Sequence, residues 1–147
     1  MNQNQAVSSI MATDLTVVGP SDKVKDIQAI FEQNDLHHIP VLSQGNLVGI
    51  ISKADISKLY YYMSKNTTGK TLTEKEYDSL TADDIMTVFP IKLDPEDTIG
   101  LAANIFLANK FHALPVVEDG TLLGIVTTHA VLEYAFVSAD VEISYKN

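Results

Sequence analysis

Ser52 and Asp55 stand three residues apart after the apolar run Gly49-Ile50-Ile51, and their chemistry admits two uses. A hydroxyl followed three residues later by an acid is a capping box, in which both side chains satisfy backbone N–H groups at a helix start. The same pair could hold a ligand that carries a phosphate and a diol. A helix start offers unpaired N–H donors and a partial positive charge, a seat for phosphate. A carboxylate has two oxygens and can accept from two vicinal hydroxyls. Lys53 adds a positive charge beside the pair. The pattern recurs at Gly124-Ile125-Val126-Thr127, but Ala130 stands where the acid would be. Alanine can neither grip hydroxyls nor complete a box, so the chain carries one full and one degraded constellation.

Other chemistry is thin. There are no cysteines, which removes disulfides, thiolate metal sites and thiol nucleophiles. His37 and His38 are adjacent on an extended run and point to opposite faces, so they do not form a metal site. Neither a G-x-S-x-G elbow nor a Walker or G-x-G-x-x-G loop is present, and no catalytic set can be named; the reading is a non-enzyme. Asp83-Asp84 and Glu74-x-Glu76 read as solvated helix charges. The run Leu59-Tyr60-Tyr61-Tyr62-Met63 reads either as a dimer-interface face or as part of a lobe's own core.

The bulk numbers bound the partners. The net charge is −9, with ten basic residues and no basic cluster, which disfavours nucleic acid and anionic membrane surfaces. No apolar run approaches the roughly 18 residues of a membrane helix. The start, MNQNQAVSSIMA, has no basic segment before an apolar one and does not read as a signal peptide, so a cytoplasmic location is expected.

The elements that must position Ser52 and Asp55 come from a repeat. A shift of 75 residues lays Ile10–Tyr60 over Ile85–Ala135 without a gap. Ile10-Met11 meets Ile85-Met86, Pro20-x-Asp22 meets Pro95-x-Asp97, and His37-x-x-Pro40 meets His112-x-x-Pro115. Each copy reads as a β-α-β-β-α unit. Leu15–Val18 and Ile91–Leu93 are expected as short strands, and Asp22 and Asp97 as helix caps or first-turn acids. Val24, Ile27, Ile30 and Phe31, then Ile99, Ala102, Ile105 and Phe106, fall at helical spacing. HHIPVLSQGNLVGIIS and HALPVVEDGTLLGIVT read as hairpins, each leading into a second helix at Ser52 or Thr127. Between the copies, the polar start of Ser64–Asp84 reads as an exposed loop, followed by short helices near Thr73–Tyr77 and Thr81–Met86. The expected organisation is a first repeat over 1–63, a loop over 64–80 and a second repeat over 81–147. The fold class is α+β, with two copies packed together.

The doubled patterns LTVVGP/PIKLDP, HHIPVL/HALPVV and GNLVGIISKADI/GTLLGIVTTHAV, with an Ile-Met doublet before each copy, resemble the tandem cystathionine-beta-synthase (CBS) domain pair, or Bateman module. The resemblance implies two lobes packed sheet to sheet about a pseudo-twofold axis, with clefts that bind adenosyl ligands such as AMP, ADP, ATP or S-adenosylmethionine. It implies that Asp55 accepts from the ribose hydroxyls and that Ser52, helped by Lys53, contacts phosphate. Adenine is expected against Leu15, Thr16, Ile39 and Pro40, with His112 reaching toward that ligand's phosphate. His37, His38 and Thr127 belong to the degraded second site. The family's arginines before the proline are absent, which favours a monophosphate, a nucleoside or S-adenosylmethionine over ATP. The resemblance further implies a homodimer that regulates a separate protein and needs no cofactor; a ligand-free interaction scaffold is the alternative.

Overall fold

The computed structural model describes residues 1–64 and 73–137. Part of the expected loop over 64–80, residues 65–72, lies outside the described residues, as does the tail from 138. The chain packs as two compact units, one of Thr16–Pro90 and one of Met1–Leu15 with the chain from Ile91.

The first of these carries helix α1 (Val24–Gln33), strands β1 (His38–Ser43) and β2 (Asn46–Ser52), and helix α2 (Lys53–Ser64). It ends with the short helices α3 (Glu74–Ser79) and α4 (Ala82–Ile85) and the two-residue strand β3 (Thr87–Val88). The other carries a short 3-10 helix (Val7–Ser9), helix α5 (Ile99–Ala108), strands β4 (Ala113–Glu118) and β5 (Thr121–Thr127), and helix α6 (Thr128–Phe136). β1 and β2 pair antiparallel, as do β4 and β5. Each hairpin turns on two residues with positive φ, Gln44-Gly45 and Asp119-Gly120. That turn matches the right-handed twist of the strands it joins, and glycine takes its second position without steric cost.

Apolar periodicity sets both cores. Val24, Ile27 and Phe31 of α1 are buried with Ile39, Val41, Ile51 and Ile56. Ile99, Ala102 and Phe106 of α5 are buried with Leu114, Val116 and Val126. The hydrogen bonds repeat with the sequence. Val18 N–H donates to the Pro40 carbonyl at 3.1 Å and Leu42 N–H to the Val18 carbonyl at 2.9 Å. Leu93 makes the same two bonds with Pro115 and Val117, both at 2.9 Å.

Several expectations need correction. Leu15–Val18 and Ile91–Leu93 are not strands; each makes one parallel bridge, Val18 to Val41 and Leu93 to Val116. The turns at Gly19-Pro20 and Asp94-Pro95 follow at once and leave no length to pair. Asp22 and Asp97 do not cap α1 and α5. Their carboxylates accept from the N–H of Gly19 at 2.7 Å and of Asp94 at 2.8 Å, closing those turns. Thr98 caps α5 by accepting from Leu101 N–H.

Glu76 and Asp84 are more than solvated charges. Glu76 accepts from the N–H and hydroxyl of Thr73 at 2.7 and 2.8 Å, and Asp84 accepts from both groups of Thr81. The tyrosine run divides by helical spacing: Leu59 and Met63 pack on the core, and Tyr60, Tyr61 and Tyr62 are exposed. Tyr60 and the buried Tyr77 of α3 both bond the Gln28 amide, and their rings lie 6.0 Å apart. Burial, then Tyr60, Glu32 and Asp78, raise the Tyr77 hydroxyl above its usual range, so it stays protonated as a donor.

The units of repetition and the units of packing differ because each copy's leading segment sits on the other copy's hairpin. Ala12 exchanges hydrogen bonds with Ile125 at 2.9 and 3.0 Å. At the equivalent place 75 residues along, Thr87 pairs with Ile50. The leaders also clamp the helix starts: Val7 N–H donates to the Asp97 carbonyl and Ala82 N–H to the Asp22 carbonyl, both at 2.8 Å. The two methionines of the Ile-Met doublets then lie over the hairpin glycines. A β-carbon on Gly49 would meet Met86 Sδ at 2.5 Å. One on Gly124 would meet Met11 Sδ and the Ala12 carbonyl oxygen at 2.7 Å each. Gly49→Ala and Gly124→Ala should each destabilise by about 1–3 kcal/mol in urea denaturation, as overpacking does. Met86→Ala should recover part of the Gly49→Ala loss because a side chain is the nearest obstacle. Met11→Ala should recover less of Gly124→Ala, since the Ala12 backbone also stands in the way; equal recovery would contradict this account.

Glu76 gives a pH signature. Its hydrogen bonds to the backbone and then the hydroxyl of Thr73 hold its carboxyl below the ordinary 4.5. A depressed carboxylate stabilises the fold above its unfolded value and loses that contribution as pH falls through its folded one. The stability advantage of the native chain over Glu76→Gln should therefore be constant near neutrality and shrink below pH 4.5. Denaturation curves at several pH values read it directly.

Candidate functional site

β2 runs into α2 without a loop, so the last strand residue, Ser52, is also the residue before the helix. The capping box forms. Ser52 N–H donates to Asp55 Oδ2 at 2.8 Å, and Asp55 N–H donates to Ser52 Oγ at 3.1 Å. Both side chains are half-buried. Each retains capacity among the described residues: the Ser52 hydroxyl donates to no acceptor, and nothing donates to Asp55 Oδ1. Of the first amides of α2, Lys53 N–H is taken by the His37 carbonyl at 2.8 Å and Asp55 N–H by Ser52. Ala54 N–H has no acceptor among the described residues. The helix start thus presents a free amide, a hydroxyl, a carboxylate oxygen and the positive end of a 12-residue helix.

The remaining expected residues distribute unevenly. His37, His38, Ile39, Pro40, Ser52, Lys53 and Asp55 share a unit with Thr16, whereas Leu15, His112 and Thr127 belong to the other. His38 lies opposite Ser52 in the ladder. His37 is exposed, 3.9 Å from Asp35. Ile39 has no solvent exposure and belongs to the core; Pro40 is fully buried beside it. Thr16 and Lys53 are exposed. The His112 carbonyl accepts from Thr128 N–H at 3.0 Å, repeating the bond of His37 to Lys53. Among the described residues, no group of three or more His, Cys, Asp or Glu could hold a metal ion, and no helix is long and apolar enough to cross a membrane.

The degraded copy keeps half the cap. Thr127 accepts from Ala130 N–H at 3.1 Å, and no carboxylate returns the bond. Ala130 instead lines an open hollow of about 300 Å³ with Ser9, Ile10, Glu133, Tyr134 and Val137. Sequence reasoning passed over Met86 and Thr87. β3 brings Thr87, exposed, into register with Ile50, two residues before Ser52. A signal existed in the repeated Ile-Met doublet and hairpin glycine, which fit together as knob and gap.

The family model for the CBS domain matches residues 7–62 and again 82–136. The chain belongs to the CBS domain family, as a tandem pair. It is 29% identical to the uncharacterized protein MJ1225 of Methanocaldococcus jannaschii over 91% of this chain and 48% of that protein. The crystal structure of MJ1225 superposes with a TM-score of 0.78, covering 92% of this chain and 49% of that one. Inosine-5'-monophosphate dehydrogenase of Korarchaeum cryptofilum is 31% identical over 91% of this chain and 26% of its own length. The chain thus spans about half of one relative and a quarter of the other. The structure of CBSX2 in complex with AMP is 29% identical, with a TM-score of 0.78, and covers 92% of this chain and 99% of that one. CBSX2 is a chloroplastic CBS domain-containing protein of Arabidopsis thaliana.

The two copies predict opposite responses to exchanging their cap residues. Asp55→Ala should lower stability by about 0.5–1 kcal/mol, since the Ser52 N–H loses its acceptor while Oγ still caps. Ala130→Asp should raise it by a comparable amount by completing a box with Thr127. Chemical denaturation of both variants checks the pair; a neutral Asp55→Ala would show that Oδ2 contributes nothing to the helix start.

Proposed function

We propose that this chain is a regulatory module that senses an adenosyl ligand, AMP-like or S-adenosylmethionine, and transmits its occupancy to a partner protein. The observation that carries the reading is the half-engaged carboxylate: Asp55 caps its helix through Oδ2, and no described residue donates to its Oδ1. In this reading Oδ1 accepts from the ribose hydroxyls. The Ser52 hydroxyl and Ala54 N–H donate to the phosphate, and Lys53 adds charge. Thr16, exposed and in the same unit, borders the ligand. The CBSX2 structure with AMP, matched across nearly the whole of both chains, supports the ligand class. The module works as a homodimer, without catalysis and without a required cofactor. A monophosphate or a sulfonium fits better than ATP because one free amide and one lysine offer few donors to a triphosphate.

A second reading, a ligand-free interaction scaffold, is favoured by two observations: Ser52 and Asp55 satisfy each other's amides in a complete capping box, and Ile39 is wholly given to the core. Thermal melting with AMP, ADP, ATP and S-adenosylmethionine separates the two. A specific ligand at 100 times its Kd should add about 2.7 kcal/mol to stability. Asp55→Asn keeps an oxygen for the Ser52 N–H but puts an amide NH2 in place of Oδ1. It should melt close to the native chain when empty and show little or no ligand shift. No shift with any ligand in the native chain supports the scaffold; an equal shift in Asp55→Asn removes Asp55 from the ribose.

A further inference from the structure

Phe89 is the most exposed large apolar side chain among the described residues, at 95%, and its φ is +48°. Residues other than glycine rarely take this left-handed conformation, least of all bulky ones. Gln44 and Asp119, the other two described non-glycine residues with positive φ, lie in hairpin turns that require it. Phe89 lies in no such turn. Its counterpart 75 residues earlier is Asp14, polar and without positive φ, so the repeated fold does not demand this conformation. The chain holds an aromatic ring in solvent at that backbone setting, with half-exposed Val88 before it and Pro90 after it.

Register locates the ring against the site. β3 is antiparallel to β2, with Thr87 opposite Ile50 and Val88 opposite Gly49. The register ends at Val88, three residues from Ser52 along the strand, or roughly 10 Å at the usual rise, and Phe89 follows it directly in the chain. That separation is comparable to the span of an extended nucleoside monophosphate from its phosphate to the outer edge of its base. Phe89, Ser52, Ala54 and Asp55 all belong to the same packing unit.

We propose that Phe89 stacks on the base of the adenosyl ligand and so determines which bases the site accepts; this rests on the ligand reading above. An aromatic face suits the task, since every purine has a π-face and stacking needs no hydrogen-bond pattern. Discrimination between bases then depends on how well each ring stacks, and purines stack better than pyrimidines.

The chain has no tryptophan, so Phe89→Trp introduces a single fluorescent reporter at the proposed contact. Titration of AMP into F89W should quench or shift its emission at the concentrations that raise the melting temperature, and the double variant with Asp55→Asn should not respond. Phe89→Ala should weaken AMP about fivefold or more in calorimetry, the lower end for base stacking on an aromatic. It should leave ribose 5-phosphate, which lacks a base, unchanged. Since the ring is exposed, both variants should fold and melt like the native chain. If AMP stabilises the native chain but F89W emission is unmoved, or Phe89→Ala weakens AMP and ribose 5-phosphate alike, the stacking assignment is overturned and the ligand reading stands. If no adenosyl ligand stabilises the native chain, both fall.

Discussion

A methionine lies where a β-carbon would be, and much of the fold follows from that fit. Met86 over Gly49 and Met11 over Gly124 let a leading segment approach a hairpin closely enough to exchange backbone hydrogen bonds with it. Without the glycine the approach is too close; without the methionine a gap remains in the apolar layer. Methionine suits the role because its flexible chain adapts to an irregular space. The consequence is connectivity that sequence order hides: each copy's own leader completes its neighbour's packing unit. The leader that sits on β2 also carries Thr87 and Phe89 alongside the strand that ends in Ser52.

The fold was legible where local chemistry repeats. The hairpins could be read because Gln44-Gly45 and Asp119-Gly120 separate apolar runs by two residues, which fixes both turn and register. The long helices could be read because Val24, Ile27 and Phe31 recur at the spacing that buries one face. What escaped reading was tertiary. Leu15–Val18 has strand-like composition, yet only Val18 finds a partner, because the turn at Gly19 directs the chain away. Asp22 looks like a cap because acids favour helix starts, but its shortest route to a donor is the Gly19 amide behind it. Composition ranks such outcomes without choosing among them.

The site was legible in its types and less so in its members. Ser52 and Asp55 meet as their spacing required, because three residues is the distance from a helix cap to the amide it serves. Ile39 illustrates the limit. A residue on a strand near a cleft and a residue in the core have the same apolar identity, and only packing assigns this one to the core. Thr87 shows the converse: nothing in its neighbourhood along the chain ties it to Ser52, and the tie comes through a strand of two residues.

The second copy serves as an internal control on what Asp55 is for. Thr127 accepts from Ala130 N–H at 3.1 Å, the same distance at which Ser52 accepts from Asp55 N–H, and α6 begins as cleanly as α2. A helix in this setting therefore starts on a hydroxyl alone. The acid adds one hydrogen bond at its N–H end, a gain of about 1 kcal/mol or less, small beside the burial that holds each unit together. The carboxylate is half-buried, and its second oxygen, Oδ1, has no donor among the described residues, which is the capacity the proposed reading uses. A ligand on Oδ1 leaves the Oδ2 bond to Ser52 in place, so binding need not dismantle the helix start. Its effect on a partner is then limited to whatever binding energy differs between the two states it connects.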